Sequence, residues 1–217
     1  HEMRTPITVL MGFLETVQSL ELKKDQQDQY FDMMMSQARR MKSLVEDLLT
    51  LANLEVNSIP ASSNRVNMET LMALLRNDAV ALSHGRHSFK FETLSDLHLM
   101  GDEREILSAF SNLVSNAIRY TPDAGAITVQ WQVNPQGQGE FSVSDTGPGI
   151  ASEHLSRLTE RFYRVDRSRS RDTGGTGLGL AIVKHIANRH QAQLIIESTP
   201  GRGSKFILRF PKDRVAP

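Results

Sequence analysis

Apolar residues in the first 57 positions recur at alternating intervals of four and three. Met3, Ile7, Leu10, Leu14 and Val17 make one such series; Met34, Ala38, Met41, Val45, Leu48 and Ala52 make a second, widened by Leu44 and Leu51. This is the spacing of an amphipathic helix with a coiled-coil-like seam. It predicts two helices, the first ending near Leu20–Gln27, joined as a hairpin. Their apolar face is too large to leave in water. A second copy of the hairpin, giving a dimeric four-helix bundle, covers it most simply; packing of both helices on the rest of the same chain is the competing solution.

The run NSIPASSNR, Asn57 to Arg65, is polar, serine-rich and holds a proline, so it reads as a linker. The predicted division is therefore a helical hairpin over 1–57, a linker over 58–65 and a second domain over 66–217. In that second domain, helical periodicity covers Glu69–Ser83, Asp102–Tyr120 and Gly177–His190. Strand-like alternation covers His87–Thr93, Ile127–Val133, Glu140–Asp145, Gln193–Ser198 and Ser204–Phe210. Together these predict an α/β layered domain, and an α+β fold for the chain as a whole. Arg157–Arg171 holds six arginines and no clear periodicity, the mark of a mobile functional loop.

Composition narrows the choice of chemistry. Lys+Arg and Asp+Glu are both 25, so no net field argues for nucleic acid or an anionic membrane surface as a direct partner. The absence of cysteine excludes disulfides, thiolate zinc sites and cysteine nucleophiles. No run approaches the ~20 apolar residues of a membrane span. A histidine as first residue, inside a helical pattern, reads as a fragment whose upstream anchor or sensor lies elsewhere, so any membrane association would come through those segments.

Three constellations could carry chemistry. Asn112, Asn116 and Arg119, spaced four and three, share one helix face, with Ile106, Phe110, Leu113 and Ala117 opposite. Asparagine oxygens suit Mg²⁺ and an arginine suits phosphate, although a plain solvated face would look the same. In FSVSDTGPGI a strand ends at Asp145 before a Gly147-Pro148-Gly149 turn. The carboxylate could accept from a purine amine, or merely cap its own turn. In DTGGTGLGLAIVKH, Gly174, Gly175, Gly177 and Gly179 run into a helix. That entry offers N–H groups and a positive dipole end to phosphate, where a flexible hinge is the bland alternative. The spacing fits neither a P-loop nor a dinucleotide fingerprint. TPGRGSKF, Thr199–Phe206, reads as an ordinary hairpin. The histidines at 84, 87, 98, 154, 185 and 190 show no metal spacing and read as surface or partly buried.

In order, HEMRTP, NLVSNAIRYTP, DTGPGI, ERFYRVD, GGTGLGL and TPGRGSKF resemble the H, N, G1, F and later glycine boxes of the sensor histidine kinases of two-component systems, over essentially the whole chain. The wording is closest to the phosphate-regulon branch. The resemblance implies a dimerisation and histidine-phosphotransfer hairpin, then a Bergerat-type ATP-binding sandwich. It implies that Asn116 ligates Mg²⁺ with Asn112 in support, that Arg119 and Arg164 meet the phosphates, and that Tyr120 flanks the nucleotide. Asp145, beside Gly147 and Gly149, would read the adenine amine, Phe162 would anchor the lid, and Gly175, Thr176, Gly177, Leu178 and Gly179 would close around the triphosphate. Arg119 departs from the lysine often found there, keeping charge but changing geometry.

The same resemblance gives Pro6 a purpose. It lacks an N–H and clashes with the carbonyl of Glu2, so a bend is expected beside His1. His1 would be the phosphoryl acceptor, Glu2 the general base, and Thr5 the holder of a water or phosphoryl oxygen. The expected protein is an ATP-dependent histidine kinase and response-regulator phosphatase for phosphate-starvation signalling, the cytoplasmic portion of an inner-membrane sensor, acting as a homodimer with a cognate response regulator. Gly12, Glu15 and Thr16 are candidate specificity positions for that regulator. Two other readings compete: a nucleotide-gated dimeric binding module without kinase activity, and an ATPase of the gyrase or Hsp90 type, which needs a glutamate where Asn112 stands.

Overall fold

In the computed structural model, which describes residues 4–20, 22–56, 64–165 and 175–217, the chain begins with a helical hairpin. Helix α1 (Arg4–Ser19) runs antiparallel to α2 (Lys24–Val56), with Phe13 edge-on to Tyr30 at 5.8 Å between ring centroids. Pro6 is buried near the start of the described part of α1. The bend expected beside His1 lies outside the described residues.

The expected single seam of α2 divides into two stripes. Met34, Leu44 and Leu51 are buried, whereas Ala38, Val45 and Ala52 are exposed. The exposed positions belong to a second four-three series, Phe31, Met35, Ala38, Lys42, Val45, Leu49 and Ala52, in which Phe31 is 53% and Leu49 60% accessible. A helix of 33 residues is long enough to serve two surfaces. One stripe faces α1 and then the second domain; the other stays open. Both proposed ways of covering the hairpin therefore have a stripe available. Leu51 enters the main core with Leu48 and Leu54 against it, and Glu55 pairs with Arg161.

The second domain is a two-layer sandwich. A five-stranded sheet in the order β2 (Ser88–Thr93), β4 (Ala126–Val133), β5 (Gly139–Asp145), β7 (Gly203–Phe210), β6 (Gln193–Thr199) is parallel between β2 and β4 and antiparallel elsewhere. Helices α3 (Met68–Ser83), α4 (Glu103–Tyr120) and α6 (Gly179–Arg189) cover one face; a single-turn α5 (Ser152–Leu155) follows β5. The alternation in β4 puts Ile127, Val129 and Trp131 into the core, where Trp131 Nε1 donates to Leu97 O at 3.0 Å. Phe110 of α4 stacks on Phe141 of β5, centroids 3.6 Å apart, and Phe210 meets it edge-on.

All five expected strands and the three expected helices are present, with ends shifted by up to two residues. Not expected was a small antiparallel sheet, β1 (Asn64–Val66), β3 (His98–Gly101) and β8 (Val215–Ala216). Strands of two to four residues are too short to show alternation. Asn64 and Arg65, assigned to the linker, are paired there with Gly101 and Met100. Two histidines are also more buried than expected. His190 is wholly enclosed, accepting from Asp102 N at Nε2 and bonding Ile186 O through Nδ1. His87 is held between the Ser83 hydroxyl and Thr121 O.

Candidate functional site

The site is built where α4, the end of β5 and the entry to α6 meet. Asp102 caps α4 by accepting from Arg104 N and Glu105 N. Ile106, Phe110, Leu113 and Ala117 are buried, and that orientation turns Asn112, Asn116 and Arg119 to the other side, each half-buried. Asn112 Nδ2 donates to Ser108 O at 2.9 Å, and its Oδ1 points at Gly179, 2.5 Å from where a Cβ would stand. A side chain there would have to push the Asn112 amide aside. The Asn116 side chain makes no hydrogen bond with any described residue, which leaves a hard amide oxygen at the centre of the face.

Asp145 closes β5 opposite Ile127 and Ser204. Its Oδ1 accepts from Gly147 N at 2.8 Å, so the carboxylate does cap its own turn. Burial pushes its pKa upward, against the N–H groups of Gly147 and Ser204 that favour the charged form. The turn is wedged into place. Gly147 lies 2.9 Å, from its missing Cβ, to Tyr120 O; Gly201 N donates to Pro148 O at 2.7 Å; and Ile150 N donates to the Ser198 hydroxyl. A Cβ on Gly149 would collide with Thr199 O, and one on Gly203, at φ +99°, with Asp145 O. The hairpin at Thr199–Phe206 is thus the back wall of the Asp145 turn rather than only a connection.

The third wall is the glycine loop. Gly177, at φ +74°, accepts from Phe162 N at 2.9 Å, and Phe162 itself sits at φ +61°. Arg164 Nη1 donates to Gly175 O at 2.6 Å, and Gly175 in turn faces Arg119 Nη1. Burial draws the Arg164 pKa down; Tyr120, which hydrogen-bonds it, opposes this, while Arg40 and Arg119 push it the same way as burial. Leu178 is fully buried at the head of α6. Glycines 175, 177 and 179 thus pack against Arg119, Phe162 and Asn112 respectively. Clustered guanidiniums, hard oxygens and a glycine-lined helix entry make a donor set suited to a triphosphate.

Of the residues named from sequence, Asn112, Asn116, Arg119, Tyr120, Asp145, Gly147, Gly149, Phe162, Arg164 and Gly175 through Gly179 all lie in this region. His1 and Glu2 fall outside the described residues. Thr5 is in the first turn of α1, and its side chain is not described. Two residues of α2 were missed. Asp47 accepts from the Thr176 hydroxyl at 2.6 Å, and Arg40 lies close enough to Arg164 to repel it. Burial pushes the Asp47 carboxyl up, opposed by Thr176 and Arg119 and reinforced by Glu46. A signal was present: a carboxylate between Leu44, Leu48 and Leu51 interrupts an apolar stripe.

A helical hairpin docked on a sandwich with this cradle defines a class. Residues 101–214 match the histidine kinase-, DNA gyrase B-, and HSP90-like ATPase family, residues 1–57 match the His Kinase A (phospho-acceptor) domain, and the chain belongs to the histidine kinases. Among its relatives, the phosphate regulon sensor protein PhoR of Pseudomonas aeruginosa is 50% identical over 220 residues, covering 100% of this chain and 49% of that protein. PhoR of Haemophilus influenzae is 40% identical over 212 residues, covering 98% and 49%. The histidine kinase AdeS of Acinetobacter baumannii superposes with a TM-score of 0.76 at 26% identity, over 98% of both chains. Full-length ShkA, solved in complex with AMPPNP, does so at 0.71 and 26%, over 97% of this chain and 44% of that one. The chain spans about half the length of the curated relatives it matches. No described helix is long and apolar enough to cross a membrane.

Proposed function

We propose that the chain is the kinase core of a phosphate-responsive sensor. It takes the γ-phosphate of ATP onto His1 and passes it to an aspartate of a cognate response regulator, which it also dephosphorylates. The observation that carries this reading is the docking of the cradle on the hairpin: Thr176 of the glycine loop is bonded to Asp47 of α2, beside Arg119 and Arg164. A glycine loop held against a helix pair supports phosphoryl transfer to that pair. The ShkA complex with AMPPNP and the PhoR relatives support the nucleotide and the signalling context.

Adenine would seat against Asp145, with the phosphates between Arg119, Arg164 and the glycine loop. Asn116 would hold Mg²⁺ with the nucleotide's own oxygens, and that ion would neutralise charge on the β- and γ-phosphates. An unprotonated His1 nitrogen attacks Pγ, a P–N bond forms, the bond from Pγ to the ADP oxygen breaks with its electron pair leaving on ADP, and Glu2 takes the ring proton. Thr5 would orient water or a phosphoryl oxygen in the phosphatase direction. The open stripe of α2, continued on α1 by exposed Ile7, Met11 and Leu14, favours a homodimer built as a four-helix bundle. Gly12, Glu15 and Thr16 would face the regulator. By this reading the chain spans 1–57 as hairpin and 66–217 as catalytic domain, within the cytoplasmic part of a membrane sensor.

The test is incubation with γ-labelled ATP and Mg²⁺, with His1→Gln alongside. Acid-labile label is expected on the wild-type chain alone; label that persists in His1→Gln rejects His1 as acceptor. Tight ATP binding with no phosphohistidine would favour the binding-module reading.

A further inference from the structure

Helix α2 meets the second domain at three places. Leu51 is buried in the shared core, Glu55 pairs with Arg161 next to Phe162, and Asp47 reaches Thr176. The first two fix where the domain sits. Among the described residues, Asp47 is the one α2 side chain that hydrogen-bonds the glycine loop.

The bond has features of a tether rather than of incidental packing. A carboxylate set between leucines loses hydration and is tolerated only with strong partners. The Thr176 hydroxyl supplies one at 2.6 Å, the short distance of a charge-assisted bond. The same hydroxyl accepts from Leu178 N at 3.3 Å, and Leu178 is the residue that heads α6. One oxygen therefore links the hairpin to the helix entry whose N–H groups would face phosphate in the kinase reading. With Phe13 against Tyr30 in an antiparallel pair, Arg4 at the start of α1 falls level with Arg39 and Arg40. The tether lies about two helical turns, roughly 10 Å, from that level.

We propose that Asp47 is a positioning residue for phosphoryl transfer, holding the glycine loop in register with the hairpin through the Thr176 hydroxyl. This rests on the kinase reading above. Asp47 is itself an anion beside Arg119, so it does not aid the binding of phosphates. Its contribution comes after ATP is bound, in fixing the distance over which the phosphoryl group travels. The two stages can be measured apart.

The experiment uses the full chain, with single-turnover labelling by γ-labelled ATP at saturating concentration and affinity from titration of a fluorescent ATP analogue. Asp47→Ala and Thr176→Val are expected to slow labelling about 10- to 100-fold, the scale of a small misplacement of reacting groups; in Asp47→Ala, which touches the glycine loop from outside the nucleotide site, affinity should be unchanged or tighter. Asp47→Asn, which keeps an acceptor oxygen, should recover most of the rate, and the double variant should be no slower than the slower single one. Thr176→Val changes one hydroxyl for a methyl on a surface loop, so its effect is read without loss of the fold. Labelling by Asp47→Ala at or above the wild-type rate, or a loss of affinity equal to the loss of rate, overturns the proposal. A wild-type chain that forms no phosphohistidine overturns the kinase reading instead.

Discussion

Replacing Gly177 with alanine tests whether the glycine loop shapes the nucleotide site. Its φ of +74° is one that an L side chain adopts at a cost, and the added Cβ would stand 2.9 Å from Phe162 Cα and 3.1 Å from Phe162 C. Those are backbone atoms and cannot rotate away, so the loop must shift and the bond from Phe162 N to Gly177 O, 2.9 Å, is lost or stretched. About 1–2 kcal/mol for the left-handed conformation and about 1 kcal/mol for the bond give roughly 2–3 kcal/mol of local destabilisation. Expressed wholly in binding, that is about 30- to 150-fold weaker ATP affinity, measured by titration with a fluorescent ATP analogue. Gly137→Ala is the matched control: its φ is +78°, but its Cβ would meet only Lys212 Cβ at 3.6 Å, in the turn between β4 and β5. It should bind nucleotide as the wild type does. If Gly177→Ala binds within about threefold of wild type, less than the ~1 kcal/mol of a single bond, the loop is not seated as described.

Leu51→Ala should lower stability by about 2–5 kcal/mol, as for a buried leucine, seen as an earlier urea midpoint; a midpoint unchanged from wild type would show that α2 is not part of the core. His190 has a depressed pKa, chiefly from burial and further from Arg214, against Ile186 O, Glu105 and Asp102. The unfolded chain therefore binds more protons than the native one below about pH 6.5. Its stabilisation is present above that pH and is lost as pH falls through the folded pKa, so the melting temperature should drop on acidification by less in His190→Gln than in wild type, each taken relative to its own value at pH 8. Asp145 has a raised pKa: its charged form weakens the fold as pH rises through that value, yet the proposed adenine contact needs that form. Nucleotide affinity should therefore decline on acidification at a higher pH than an ordinary aspartate would impose, and an affinity flat from pH 7 to 4 would remove Asp145 from the purine contact.

Much of the fold could be read directly because its long elements carry strong periods. The face of α4 that buries Phe110 and Leu113 determines where Asn112, Asn116 and Arg119 point, and both sets are visible in one stretch of sequence. The strands β4 and β5 alternate cleanly because one side meets helices. The small sheet could not be read: β8 has two residues, and β1 hides in a segment whose composition is that of a linker. Nor could the union of hairpin and cradle be read. Helical spacing places Leu44 and Leu51 on one stripe with Asp47 beside them, but nothing in the spacing says that Thr176, 129 positions away, is what Asp47 meets. His87 and His190 were misjudged for the same reason, since their partners Thr121 and Asp102 are brought in by tertiary packing.

The open stripe of α2 has one charged member, Lys42, with Ala38 and Val45 on either side. Its ammonium pairs with Glu46 of the same helix at 3.8 Å, and in a twofold pair a charged position in the seam would pack less tightly than its apolar neighbours. The helices would grip firmly toward Phe31 and toward Leu49 and slackly in between. A bundle clamped at both ends and loose at its middle yields by twisting there, so a torque on the hairpin would be taken up first in that middle stretch rather than at Phe31 or Leu49.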